Sequence, residues 1–334
     1  MDDVLLTYGL LLATVIAAGA LLVLRARGIT STAKSIDNAQ RWAPAKPASG
    51  GLLFALSLVL GQWLIAPLSL WANVALAAGF AIGLCDDLLR IRPYSKLAGQ
   101  ALAAIAVGVY VANFDQHVFW ILAFAFSAVV MMNSINMLDN MDGVATLGSL
   151  PFGLVSALLF LTGNLTSPIG VLLVTGSLSF LLYNAYPSKM FMGDSGSMLL
   201  GVAASLVMFE IGMENPDLSW KILPIWLFVS TLTVADTLLV VIRRKQHGKS
   251  PMQGGKDHST HHLVYFGWSQ TKVTYVFLAM AIIQSLIAFF VIVLELYTAI
   301  VLAAMLLYVV LWVFFVWRVS QRNLKSGIFD YTSH

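Results

Sequence analysis

Charge is what this sequence has least of. Of 334 residues, 19 are Lys or Arg and 16 are Asp or Glu, so charged residues make up 10% of the chain against 59% hydrophobic. Soluble domains carry roughly 25% charge, and so few ionic side chains cannot coat a water-soluble core of this size. Cysteine is nearly missing as well. Cys85 stands alone, which excludes an intramolecular disulfide and any cysteine-built metal cage. Lying in an apolar run, it is expected to be a small buried hydrophobe. The chain also lacks a fixed glycine period, low-complexity tracts and an internal repeat, which excludes fibre, disorder and the inverted-repeat signature of many secondary transporters. What remains is an all-α polytopic membrane protein.

A bilayer core of about 30 Å takes about 20 apolar residues in a helix. That length predicts eleven spans, at approximately 4–24, 51–68, 71–89, 97–112, 117–137, 144–163, 168–186, 196–213, 220–242, 272–294 and 297–317, within one integral membrane domain over 1–334. The first is read as a retained helix rather than a cleaved signal. Run length and the absence of period-2 alternation favour helices over barrel strands. Alternating the loops across eleven spans puts 18 of 19 Lys and Arg on one side, with Lys221 alone on the other. The positive-inside rule then predicts an outside N-terminus, a cytoplasmic C-terminus and cytoplasmic loops at 25–50, 86–96, 136–143, 184–195 and 243–271.

The acidic residues gather at the ends of spans on that same side. Adjacent Asp86 and Asp87 close one helix, where carboxylates oppose the macrodipole, so stability alone does not explain them. In Asn133-Ser-Ile-Asn136-Met-Leu-Asp139-Asn140-Met-Asp142-Gly143, residues Asn136, Asp139 and Asn140 share a helical face, and Gly143 permits a turn. A polar helix stop is the plain reading of this string, but three Asn and two Asp exceed what a stop needs. In Phe191-Met-Gly193-Asp194-Ser-Gly196-Ser197, the backbone N–H groups of the next helix's start would favour an anion. His258, His261 and His262, at i, i+3 and i+4, suit either a metal or, when charged, a phosphate. With no cysteine or obvious fourth ligand, and with Arg243, Arg244, Lys245 and Lys249 nearby, phosphate is the better reading. Hard carboxylate oxygens prefer Mg²⁺ or Mn²⁺. Carboxylates and cations at one membrane surface therefore point to phosphoryl transfer with a lipid as one substrate.

The ordered motifs resemble those of the polyprenyl-phosphate N-acetylhexosamine-1-phosphate transferases, a superfamily that includes the phospho-N-acetylmuramoyl-pentapeptide transferases. They are Gly83-Leu-Cys-Asp86-Asp87, Lys96-Leu-Ala-Gly-Gln100, Asn133 to Ala145, Asn184-Ala-Tyr-Pro187, Phe191 to Ser197, Asp236, and Arg243-Arg244 through Asp257-His258-Ser-Thr-His261-His262-Leu263. The resemblance implies transfer of a sugar-1-phosphate, with GlcNAc-1-phosphate expected, from a UDP-N-acetylhexosamine to undecaprenyl phosphate. UMP is released with Mg²⁺ or Mn²⁺ as cofactor, at the cytoplasmic face of a bacterial inner membrane. It puts metal on Asp194 with Asp86, and catalytic roles on Asp86, Asp87, Asp139, Asp142, His258, His261 and His262. Lys46, Lys96, Asn136, Asn184, Phe191, Arg243 and Arg244 fall on the substrate side. Which of Asp86 and Asp87 acts as base stays open, and analogy extends to a homodimer, with no nucleic-acid partner. Two places depart from the pattern. The first-loop segment from Trp42 to Gly51 lacks the Arg and His of the family's pattern, with Lys46 as the candidate substitute, and Asn140 replaces a glycine. The spaced Asp-His-x-x-His-His favours the N-acetylhexosamine branch over the pentapeptide one. A cation-coupled transporter, the rival from another class, would instead place carboxylates deep inside spans, where only Asp236 approaches.

Overall fold

A computed structural model describes residues 14–19, 46, 48–113, 117–215, 220–251 and 254–329. The first predicted span and most of the first long loop lie outside these residues, except that 14–19 are helical. The rest is helix after helix: α1 (Gly50–Leu64), α2 (Leu70–Leu89), α3 (Pro93–Ala112), α4 (Val118–Leu138), α5 (Val144–Leu161) and α6 (Ile169–Asn184). These are followed by α7 (Gly193–Glu214), α8 (Ile222–Val229), α9 (Thr231–Gln246), α10 (Ser259–Tyr265), α11 (Gln270–Val293) and α12 (Ala299–Lys325). Seven of them are long and apolar enough to cross a membrane, and α8 with α9 makes an eighth, bent by 74° at Ser230. The apolar α1 and α6 are shorter, at 15 and 16 residues. Each predicted span after the first thus coincides with a helix or with the bent pair.

Local chemistry sets the ends. Ser69, Ser269 and Thr298 cap α2, α11 and α12 by accepting a backbone N–H from the first turn, and Pro93 opens α3 where its missing N–H costs nothing. The helix α7 forms the hub, with 89% of its apolar window buried against 17% for α12. It packs on α2 and α4 in the larger of two cores, among Met131, Met132, Leu199, Val202 and Leu206. A smaller core joins α5, α9, α10, α11 and α12 through Leu147, Leu232, Leu263, Phe277 and Val319. The surface is apolar: Trp63, Leu70, Leu102, Phe126 and Ile300 are all exposed. Water would penalise such a belt, whereas lipid accepts it. The molecule is an all-α polytopic membrane protein.

Cys85 corrects an expectation, because it is exposed rather than buried. The buried positions of α2 are Ala72, Ala75, Leu76, Gly79 and Gly83, and at 100° per residue Cys85 falls on the opposite side. In a lipid-facing helix an apolar neighbourhood in sequence does not mean the protein interior.

Candidate active site

The ends of α2 and α4 and the starts of α3 and α7 meet at one end of the bundle. Lys96 Nζ lies 2.9 Å from Asp86 Oδ2 and 2.7 Å from Asp194 Oδ2, and donates to Asn136 Oδ1 at 3.4 Å. The Asn136 amide donates to Asp194 Oδ1 and, at 3.0 Å, to the Ser197 hydroxyl. Three residues spread over 108 positions of the chain thus converge on one ammonium. The side chains of Asp86, Lys96 and Asp194 keep 15%, 17% and 28% exposure, so the cluster opens to a ligand.

Asp87 does something else. Its Oδ1 accepts the Asp194 N–H at 2.8 Å and its Oδ2 accepts the Ser195 N–H at 3.0 Å. The anion expected at the start of α7 is therefore this carboxylate, and the opposed dipole at the end of α2 is answered by the favourable dipole of α7. Two glycines make the contact possible. A Cβ on Gly83 would come within 2.2 Å of the Asp194 carbonyl oxygen, and Gly193 adopts φ +77° beneath Asp87.

The string from Asn136 to Gly143 ties this cluster to two others. Asn140 Oδ1 accepts the Thr260 hydroxyl at 2.5 Å. Asp142 accepts the Ser188 N–H at 2.9 Å and hydroxyl at 2.8 Å, with Lys46 Nζ 3.7 Å away. Lys46 also donates to the Ser188 hydroxyl at 2.8 Å and lies 5.3 Å from the Phe191 ring centre. Asn184 accepts the Gly143 N–H at 2.8 Å and donates to the Met190 carbonyl at 2.8 Å. Asp142, Asn184, Lys46 and Phe191 therefore brace the loop before α7. Asp139 caps α4 with its N–H on Ile135 O at 3.1 Å.

The basic and histidine residues form a third, buried group. Arg244 grips Asp257 through Nε at 2.8 Å and Nη2 at 2.6 Å, while Nη1 donates to Pro251 O at 2.9 Å. Burial works to raise the Asp257 pKa, but this bidentate bond overcomes it and holds the carboxyl below its ordinary range. His258 Nδ1 meets Asp236 Oδ2 at 2.8 Å, and Asp236 Oδ1 takes the N–H and hydroxyl of Ser259 at 2.6 Å each. That bond holds the His258 proton on Nδ1 and leaves Nε2 to a ligand. His261 is fully buried, 5.6 Å ring to ring from His258. His262 Nδ1 accepts from the Asn323 amide at 3.3 Å, and its Nε2 lies 3.1 Å from the Ser320 hydroxyl. Burial pushes its pKa down to about 4, so at neutral pH it is an uncharged pin between α10 and α12. Arg243 stacks on Trp317 at 3.6 Å and donates to that residue's carbonyl at 3.3 Å. The three histidines do not present one common charged face.

Sequence reasoning left out Ser188 and the bracing role of Asp236. Asp236 carried a signal, being a lone carboxylate in an apolar run, whereas serines carry none. For a hard divalent cation, the donor chemistry fits at Asp86 and Asp194: their oxygens already converge on a single cation, the Lys96 ammonium. No group of three His, Cys, Asp or Glu is arranged to hold a metal among the described residues, but Mg²⁺ commonly takes one or two carboxylates and completes its shell from phosphate and water.

Known proteins resemble this chain over most of its length. The family described as Glycosyl transferase family 4 matches residues 68–212, which holds the Asp86, Lys96, Asn136 and Asp194 convergence. A phospho-N-acetylmuramoyl-pentapeptide-transferase of Moorella thermoacetica is 30% identical over 270 residues, covering 72% of this chain and 82% of the relative. One from Clostridium novyi is 27% identical, with 73% and 82% coverage. A decaprenyl-phosphate N-acetylglucosaminephosphotransferase of Mycolicibacterium smegmatis is 30% identical, covering 69% of this chain and 58% of the relative. By the family match and by these relatives, the chain belongs to glycosyl transferase family 4.

Proposed function

We propose that this protein transfers an N-acetylhexosamine-1-phosphate, with GlcNAc-1-phosphate preferred, from a UDP-sugar to undecaprenyl phosphate. The observation that carries the reading is the partly open convergence of Asp86, Asp194 and Asn136 on Lys96. A phosphate oxygen of the lipid bonds to the phosphorus bearing the sugar, the P–O–P bridge breaks, and UMP leaves with the bridging oxygen. A phosphate monoester loses its second proton near pH ~6, so the acceptor needs positioning and charge neutralisation more than a strong base. Asp86 and Asp194 would hold Mg²⁺ or Mn²⁺, which when bound offsets pyrophosphate charge. Lys96, already between those carboxylates, supplies a further cation to the phosphates. Asp87 acts by fixing the start of α7, and Asn136 by orienting Asp194. His258, held by Asp236, presents Nε2 to a substrate oxygen, with Arg244 and Asp257 bracing its loop.

The charge sorting supports eleven spans with this end of the bundle on the cytoplasmic face of a bacterial inner membrane, where UDP-sugars reside. The pentapeptide-bearing UDP donor is the second reading, favoured by the names of the Moorella and Clostridium relatives. Against it stands the spaced Asp257-His258-Ser-Thr-His261-His262 string. Purified protein with undecaprenyl phosphate, Mg²⁺ and a panel of UDP-N-acetylhexosamines and the UDP-MurNAc-pentapeptide should release UMP fastest with UDP-GlcNAc. Turnover with the pentapeptide donor alone reverses the assignment, and no turnover with any donor removes the transferase reading.

A further inference from the structure

The far end of α7 carries acidic residues that transfer chemistry does not use. At 1.5 Å per residue, its 22 residues place Glu210 and Glu214 about 25–30 Å from Asp194. They line a cavity of about 370 Å³ with Pro67, Leu68, Tyr110 and Phe209. Glu214 accepts the Thr166 N–H at 2.8 Å and hydroxyl at 2.6 Å. Glu210 is 6% exposed; its Oε1 accepts the Tyr110 hydroxyl at 2.8 Å and the Ser167 side chain also bears on the carboxylate, while Oε2 is buried with no donor in hydrogen-bond geometry. Among the described residues the lining holds two carboxylates and no Lys, Arg or His. A buried carboxylate oxygen without a donor is expensive, and both the open lone pairs and the uncompensated charge ask for a cation that donates hydrogen bonds.

We propose that this cavity binds a primary ammonium group, presented by an aminophospholipid headgroup or by a free amine. A bare metal ion suits it less, because no three acidic or histidine ligands converge there among the described residues and the volume far exceeds an ion. An organic ammonium needs only carboxylate and hydroxyl acceptors around its head and apolar contact along its stem. Glu210 and Glu214 supply the first, and Leu68, Pro67 and the edge-packed rings of Tyr110 and Phe209, 5.5 Å apart, supply the second, with aromatic faces that favour a cation. The site sits at the bundle end opposite Asp194, where a lipid headgroup of the other leaflet would lie. The proposal does not depend on the transfer reading.

The probe is ethanolamine titrated against delipidated protein in detergent by calorimetry, beside native mass spectrometry of protein from nanodiscs of phosphatidylethanolamine or phosphatidylcholine. Ethanolamine binding, or selective retention of phosphatidylethanolamine, supports the site; the first without the second assigns the free amine, and the second without the first the lipid. Glu210→Gln should weaken whichever binds by roughly 10- to 100-fold. Ser205→Ala, on the same helix as Glu210, deletes a buried hydrogen bond to Ser127 but does not line the cavity, and should retain binding within a few fold. Equal binding by the wild type and Glu210→Gln overturns the proposal, as does binding of neither probe. Saturable binding of Ca²⁺ or Mg²⁺ that Glu210→Gln abolishes and ethanolamine does not displace also overturns it.

Discussion

Two polar clusters at the same end of the bundle use similar residues to opposite ends. Around Lys96, two carboxylates share one ammonium and keep 15% to 28% exposure. Around Asp236 and Asp257, each carboxylate has its own donors, and the side chains of Arg244, Asp257, His258 and Asp236 are at most 5% exposed. In the first cluster negative charge outnumbers positive and stays reachable, as a metal ion accompanying a phosphate substrate would require. In the second the carboxylates are consumed by their donors, and their work is to hold α9, the loop after it and α10 in place, with His258 Nε2 the one group the proposed function calls on. Bearing a charge near the membrane surface does not mark a residue as catalytic; leaving that charge incompletely answered does.

The contrast breaks if the clusters respond alike. The largest effect is expected from Arg244→Ala, which leaves Asp257 buried without its bidentate partner and should cost about 3–5 kcal/mol of stability. Thermal unfolding in detergent, read by tryptophan fluorescence, checks this; an unchanged midpoint would place Asp257 in water. In the open cluster, Asp194→Asn should lower UMP release by roughly 10²–10³-fold with an unfolding midpoint near wild type. Loss of both together would mean that Asp194 is structural in the same sense as Asp257.

Asp236→Asn sharpens the comparison from the buried side. It removes the acceptor that fixes His258 and should cost about 1–3 kcal/mol. If His258 meets substrate, the pH profile of kcat shifts as well, which a purely structural Asp236 would not produce. The pH dependence of stability supplies a fourth test. His262 has a folded pKa of about 4, below the ordinary 6.5, because burial disfavours its charged form. The unfolded chain therefore takes up a proton that the folded one refuses as pH falls from about 6.5 to 4. Stability is intact above that window and declines through it. Asp257, held below its ordinary value by Arg244, extends the loss to still lower pH as its carboxylate is protonated and the ion pair with Arg244 is lost. His262→Asn should flatten the upper part of the decline and leave the lower part.

Much of the fold was legible because a bilayer imposes one length on every span, so hydropathy located α1 to α9, α11 and α12, and missed the short α10 and the bend between α8 and α9 at Ser230. Burial was less legible: the exposed Cys85 shows that an apolar run says nothing about which side faces lipid. At the site, the residue types drew attention to Asp86, Asp139, Asp142, Asp194 and the histidines together, since a sequence reveals chemistry but not which groups already have partners. That Asp87 spends both oxygens on α7 follows from how close Gly83 lets two helices come, a distance no spacing encodes. Ser188 escaped notice because a hydroxyl is silent until a carboxylate is found beside it.

The smallest expected effect tests the bracing of the loop before α7. Ser188 gives Asp142 a backbone and a hydroxyl hydrogen bond and receives one from Lys46. Ser188→Ala deletes the hydroxyl and leaves the backbone bond, so one oxygen of a buried carboxylate loses its donor while Lys46 remains 3.7 Å from the other. The expected cost is about 1 kcal/mol, visible as a small drop in the unfolding midpoint. If Asp142 is a brace, KM and kcat should move little, because Asp86, Lys96 and Asp194 keep every contact of their own. If Asp142 instead touches substrate, relaxing its orientation should change KM for the UDP-sugar well before stability changes, and Asp142 would then pass from the answered cluster to the open one.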